Sequence, residues 1–302
     1  MPTKRVSFLA ATALLMLSLT GAAARDLDLS KPEDGILASN KIACGSLKEG
    51  FIGHATWRGR VYSRVTWEQD RYLFDVVGYN VRRCPKVTDP KRGTGYRVVS
   101  REIMLYLKPG TDEVLKTWDN PFTGETVEVM PVKNDPVNLP PVMPIGRDGK
   151  PYRFSGEIIG DLVVRNLPAS LYYPIPIGSK YPAAVGGYAQ AMEIYTHFIP
   201  KDQLLTDSEE PLEGLHLAWH RFGKWMPWMK MGDRPGFLIF TTYGWRVGSP
   251  DELPAPIKNA LATDEFALFR APPPPDDPRP MMDEYTQYGA EMDAAGRSMG
   301  GK

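Results

Sequence analysis

The sequence predicts an all-β protein: a single antiparallel barrel of the lipocalin or calycin kind, with a two-sheet β-sandwich as the alternative. Three observations carry this. About eight runs rich in β-branched and aromatic residues occupy positions 51–250. Turn residues separate them at short intervals, which favours antiparallel pairing over the long crossovers that parallel strands need. The chain of 302 residues holds 29 prolines, a density that breaks helical bundles, and only Pro85, Pro90 and Pro109 fall between positions 51 and 120.

Read in order, Met1 to Ala24 has the pattern of a secretory signal. Lys4 and Arg5 precede the apolar stretch Val6–Leu19, and Ala22-Ala23-Ala24 offers small residues for cleavage. The apolar run is shorter than the ~20 residues that span a bilayer, so removal is expected rather than anchoring. The mature chain is then expected to be periplasmic or secreted, with no transmembrane span. Positions 25–50 form an N-terminal arm and positions 51–250 the barrel.

Strands are expected at His54–Val65, Tyr72–Tyr79 and Tyr96–Leu107, with a hairpin turn at Asn120–Gly124 leading into Thr126–Val129. Pro131–Pro151 reads as a long surface loop, Tyr152–Arg165 as strand, and Pro168–Pro182 as a second excursion rich in Pro and Tyr. Tyr188–Ile199, Leu215–Phe222 and Phe237–Val247 complete the set. Positions 251–302 form a Pro-rich extension with a short helix at Ile257–Ala262, a polyproline stretch at Ala271–Pro275 and a weak helix in the last twenty residues.

Charge and cysteine content bound the function. Lys plus Arg and Asp plus Glu are equal at 36 each, and losing Lys4 and Arg5 with the signal leaves a slight acidic excess. A nucleic-acid binder would carry a basic one. Cys44 and Cys84 are the only cysteines. Outside the cytoplasm they are free to bridge, although two buried thiols fit the sequence as well.

No phosphate-binding glycine loop, dinucleotide fingerprint or nucleophile elbow occurs. His216-x-x-x-His220 would share a metal on a helix, but on a strand the two rings stand ~13 Å apart; no metal site and no cofactor is expected. Glu193, Tyr195 and His197 alternate along one strand opposite Met192, Ile194, Thr196 and Phe198. Either the polar face meets water or it lines a barrel lumen, where Glu and His would be poised for proton transfer and Tyr would donate to a substrate oxygen. Asp75 and Glu102 lie within strands, and Arg60, Arg64 and Arg101 on neighbouring strands could pair with them. The segment Trp219–Trp245 holds four of the seven tryptophans. Trp219, Trp225, Met226, Trp228 and Met229 there could plug a core, wall a pocket or face a partner.

Several segments are familiar together. They include Arg60-Val61-Tyr62, Leu73-Phe74-Asp75-Val76-x-Gly78-Tyr79-Asn80, Ser100-Arg101-Glu102 and Trp118-x-Asn120-Pro121-x-Thr123-Gly124-Glu125. Asn134-Asp135-Pro136-Val137-Asn138 and the run Trp225–Gly236 join them. In these the chain resembles the domain-of-unknown-function family eighteen thirty-eight over roughly residues 30–250. The resemblance implies one continuous, often exported domain and carries no activity or catalytic residue.

The expected function is therefore binding of a small apolar or aromatic molecule in a barrel cavity, with Trp219, Trp225, Met226, Trp228, Met229, Arg60 and Arg101 as ligand-binding candidates. The alternative is a cofactor-independent isomerase or hydratase using Glu193, Tyr195, His197, Glu102 and Asp75. A third reading is an envelope interaction protein that docks a partner through the Pro-rich tail.

Overall fold

The computed structural model describes residues 24–174, 188–231 and 234–281. The expected secretory signal, apart from Ala24, and the expected weak helix of the last twenty residues lie outside them.

The N-terminal arm contains a helix that the strand pattern had not suggested, α1 (Pro32–Cys44). Its local causes are plain. Pro32 opens it with φ already set, Glu33 and Asp34 sit at the positive end of the dipole, and Gly45 closes it at φ 94°. Arg25 grips the first turn through Asp34 at 2.9 and 2.5 Å.

The strands follow: β1 (Gly53–Arg64), β2 (Arg71–Arg83), the hairpin of β3 (Lys86–Asp89) and β4 (Gly93–Tyr96), and β5 (Val99–Leu107). Next come the small hairpin of β6 (Thr117–Asp119) and β7 (Thr126–Glu128), then β8 (Val132–Asn134), β9 (Gly156–Ile159), β10 (Leu162–Pro174) and β11 (Tyr188–Pro200). The one-turn helix α2 (Lys201–Leu204), β12 (His216–Gly223), β13 (Phe237–Val247) and α3 (Ala255–Leu261) complete the described chain. Nine strands form one antiparallel sheet in the order β8-β5-β2-β1-β13-β12-β11-β10-β9. Among the described residues the protein is thus mostly β, with three short α-helices. Among the described residues β8 and β9 do not pair with each other.

β10 runs straight through Pro168, where the sequence pattern predicts an irregular excursion. Proline is tolerated because β9 pairs only with Leu162–Arg165; beyond that point β10 is an edge, and a missing N–H on its open side breaks no ladder bond.

The sheet is strongly curved. Trp57 of β1 and Trp219 of β12 stand two strands apart, a separation of about 10 Å in a flat sheet, yet their ring centroids are 6.1 Å apart. Glycine on both flanks of Trp57 makes room for this. Trp57 pairs with Gly78 of β2 and Gly244 of β13, and a Cβ on Gly78 would lie 2.0 Å from Cε2 of the indole.

The concave face is filled at one end. Hairpin β6–β7 and the loop after β12 bring Trp118, Val127, Trp225, Met226, Trp228 and Met229 against Val61, Phe74, Met104, Tyr106, Leu238 and Phe240. Trp228 lies within 5.1–5.9 Å of Tyr106, Phe74 and Trp118, and Asn120 joins the two loops by donating to the Met229 carbonyl at 2.9 Å. Helix α1 covers the opposite end, its C-terminus tied to the end of β2 by a Cys44–Cys84 disulfide with Cα atoms 6.0 Å apart.

The convex face of β2 and β5 (Val77, Tyr79, Val81, Ile103, Leu105, Leu107) is covered by Leu253, Ile257, Leu261, Phe266 and Phe269 from the segment after β13. Arg101 fastens that segment by donating to Asp135 at 2.7 Å and to the Ala271 carbonyl at 2.8 Å; Arg279 closes the clamp on Asp135 and Asp277.

Because Gly78 has no free volume above it, Gly78→Ala forces the Trp57 indole aside. A loss of about 1–3 kcal/mol is expected in urea unfolding, the range for overpacked cores. An unchanged midpoint would show that Trp57 does not hold this position.

Candidate functional site

The alternation along β11 settles into one orientation. Glu193 is 6% exposed and its face, with Tyr195 and His197, points into the concavity. Met192 and Phe198 on the other face are exposed at 42% and 37%. β12 contributes Trp219 and Arg221 to the interior and turns His216 and His220 outward, as a strand must. Among the described residues no cluster of His, Cys, Asp and Glu could hold a metal.

Two polar groups form inside. In the first, Glu193 accepts a 3.0 Å bond from Arg221 of β12 and a second bond from the Tyr195 hydroxyl. Burial, then the neighbouring Glu193 and Glu102 carboxylates, hold the Tyr195 phenol well above its ordinary pKa, so it acts as a donor.

The second group lies beneath α1. Glu102 of β5 accepts long amide bonds from Asn80 (3.4 Å) and Asn134 (3.3 Å). Burial, followed by repulsion from Glu193, pushes its carboxyl up to about 7 against the opposing pull of Arg82 and the two amides. Arg82 of β2 donates to Asn80 at 2.6 Å and to the Ala43 carbonyl at 3.1 Å; Arg246 of β13 donates to the Ile42 carbonyl at 2.5 Å. The two guanidiniums thus serve orphan carbonyls in the last turn of α1, at the negative end of its dipole. Burial, and then proximity to Arg82, pull Arg246 down to about 9. His197 is pulled down to about 3, by burial first and then by Arg165, Arg246 and Arg82. Its Nδ1 and the Nε1 of Trp219 are buried without a partner.

Glu102 and Glu193 stand five places apart in the sheet order, about 24 Å if the sheet were flat. Their mutual influence comes from curvature alone. Glu102, Arg82 and Arg246 are half-buried, each keeping part of its surface accessible.

The other sequence candidates lie elsewhere. Trp225, Met226, Trp228 and Met229 belong to the packed aromatic end. Arg101 clamps the C-terminal segment on the convex side. Arg60 and Asp75 line a convex cleft of about 670 Å³ with Arg58, Tyr62 and Tyr243. There Asp75 accepts from the Gly110 amide at 2.7 Å rather than pairing with a buried arginine. Sequence reasoning missed Arg82, Arg221 and Arg246. Each follows the phase of an apolar inward set: Phe74 and Val76 for Arg82, Trp219 for Arg221, Leu238 and Phe240 for Arg246. That phase was the available signal.

A family model described as "Protein of unknown function (DUF1838)" matches residues 53–289, and the chain belongs to that family. No curated protein and no solved structure matches it.

The two perturbed groups act oppositely on stability. Glu102 has a raised folded pKa, so its contribution is full at low pH and is lost as pH rises from the ordinary carboxyl range to about 7. His197 has a depressed one, so its contribution is lost as pH falls from the ordinary imidazole range toward about 3. Between pH 5 and 6.5 the slopes offset each other. Urea unfolding of Glu102→Gln should therefore rise more steeply with pH across this window than that of the parent protein. Identical slopes would show that Glu102 titrates normally.

Proposed function

We propose that this protein binds a small molecule in the concavity of the curved sheet, between the aromatic plug and the C-terminus of α1, and that the sheet serves as a barrel-like enclosure. What carries this reading is the convergence of Glu102, Glu193, Tyr195, His197, Arg82 and Arg246 from four strands onto one interior space. Burying that many ionisable groups is costly, and a hydrophobic filling like that of the aromatic end would stabilise the fold better. Trp57 and Trp219 supply flat apolar surface at the inner boundary of the polar end, suited to an unsaturated or aromatic body. The ligand has a polar portion toward α1 and an apolar one toward the indoles.

A second reading, acid–base catalysis on the same molecule, is favoured by one observation. Burial, and then the neighbouring Glu193, push the Glu102 carboxyl up to about 7, where a general acid or base works best, within electrostatic reach of the Tyr195 hydroxyl. Glu102 would move the proton, and Tyr195, oriented by Glu193 and Arg221, would donate to an oxygen of the substrate. The Pro-rich segment favours partner docking less, because Pro272 and Pro273 are buried and Ala271 is bonded to Arg101.

The disulfide and the leader-like first 24 residues support a working place outside the cytoplasm.

Native mass spectrometry on protein purified gently from its own compartment tests the binding reading. A stoichiometric small-molecule adduct, lost on denaturation and diminished in Trp219→Ala, is expected. A bare mass in every preparation would count against it.

A further inference from the structure

Resting on that interior-site reading, we infer that the ligand carries a carboxylate, held at the α1 end of the concavity by the field of Arg82 and Arg246. Among the described residues neither guanidinium has a carboxylate within 4 Å. Their partners are neutral: the Ile42 and Ala43 carbonyls and the Asn80 amide oxygen. Nε and Nη1 of Arg246 have no partner at all.

The wider interior does not balance these charges. Arg221 spends its charge on Glu193. Among the described residues Arg165, facing His197 from β10, bonds to the Tyr152 and Ser155 hydroxyls and stacks over Phe154. Glu102 is the inward carboxylate among the described residues of this end, and it is bonded to amides rather than to either arginine. The partial charge at a helix C-terminus is about half an elementary charge, too small to offset two guanidiniums. Arg82 and Arg246 are half-buried, and with one carboxylate, Glu102, pulling on Arg82 they leave an excess of positive charge at this end that an anion would neutralise. Guanidinium donors match a planar carboxylate in sign and hydrogen-bonding geometry, and a neutral amide or an ammonium gains nothing from that field.

The test uses three small aromatic probes of differing charge: benzoate, benzamide and benzylamine. Isothermal titration calorimetry on the full mature protein at pH 7 should show benzoate binding at least about tenfold more tightly than benzamide, with benzylamine not bound. Arg246→Met should abolish that preference. If that variant unfolds, Arg82→Gln, which keeps the Arg246 bond to α1, should reduce it. Proton linkage gives an independent readout. An anion placed beside Glu102 raises its proton affinity, so benzoate binding should take up protons in buffers of differing ionisation enthalpy, and Glu102→Gln should abolish the uptake.

Equal binding of benzoate and benzamide, both weakened by Trp219→Ala, would overturn the carboxylate inference and leave the interior site standing. Benzoate binding that neither arginine variant weakens would place the anion elsewhere and overturn the inference. Binding of none of the three also overturns it, and the native-mass adduct then decides separately whether the interior site survives.

Discussion

The accommodation of Trp57 between two glycines is the constraint on which the interior depends. Side chains at Gly78 and Gly244 would hold the neighbouring strands off the indole. Without that close approach the sheet could not bend enough to set Trp57 against Trp219, or to bring Glu102 within the influence of Glu193. Curvature here is a packing result, and the electrostatics of the polar end are its consequence. The same bend divides the concavity, because the indoles sit at the boundary between the aromatic plug and the charged region under α1.

The two ends are closed by different physics. At the plug, buried apolar area and ring-to-ring contacts around Trp228 dominate, and one amide, Asn120, ties the loops together. At the other end a helix terminus presents unsatisfied carbonyls inward, and arginines answer them. The disulfide at Cys44 fixes where those carbonyls stand. The polar end is therefore held by few, directional contacts, whereas the plug is held by many non-directional ones. Such an asymmetry suits a scaffold in which one half is kept rigid and the other receives a ligand.

Much of the fold was legible because strand chemistry is local. The runs at His54–Val65, Tyr72–Tyr79 and Phe237–Val247 correspond to β1, β2 and β13, and the Asn120–Gly124 turn joins β6 to β7. Ile257–Ala262 corresponds to α3. The local signals for helix α1 are in the sequence, in Pro32, the acids after it and Gly45, but its apolar stripe is weak, so the arm at positions 25–50 carries no helix expectation. Facing was not legible. On β11 the ionisable side chains go in and Met192 and Phe198 go out, the reverse of the usual partition, and only the curved sheet around the strand decides it. The meeting of Glu102 with Glu193 was equally hidden, because it depends on a curvature that no single strand encodes. The family to which the chain belongs carries no assigned chemistry, so the site had to be built from its geometry.

The segment that covers the convex face has a consequence for the order of events when the chain folds. Val77, Tyr79, Ile103 and Leu105 find their cover in residues 253–269, and the clamp from Arg101 closes on Ala271, 170 positions later. A chain emerging from its N-terminus therefore carries an uncovered apolar sheet surface until nearly all of it has been delivered. Contacts of such sequence separation form late and slowly. A chain cut short before these residues would keep that apolar surface open and prone to association.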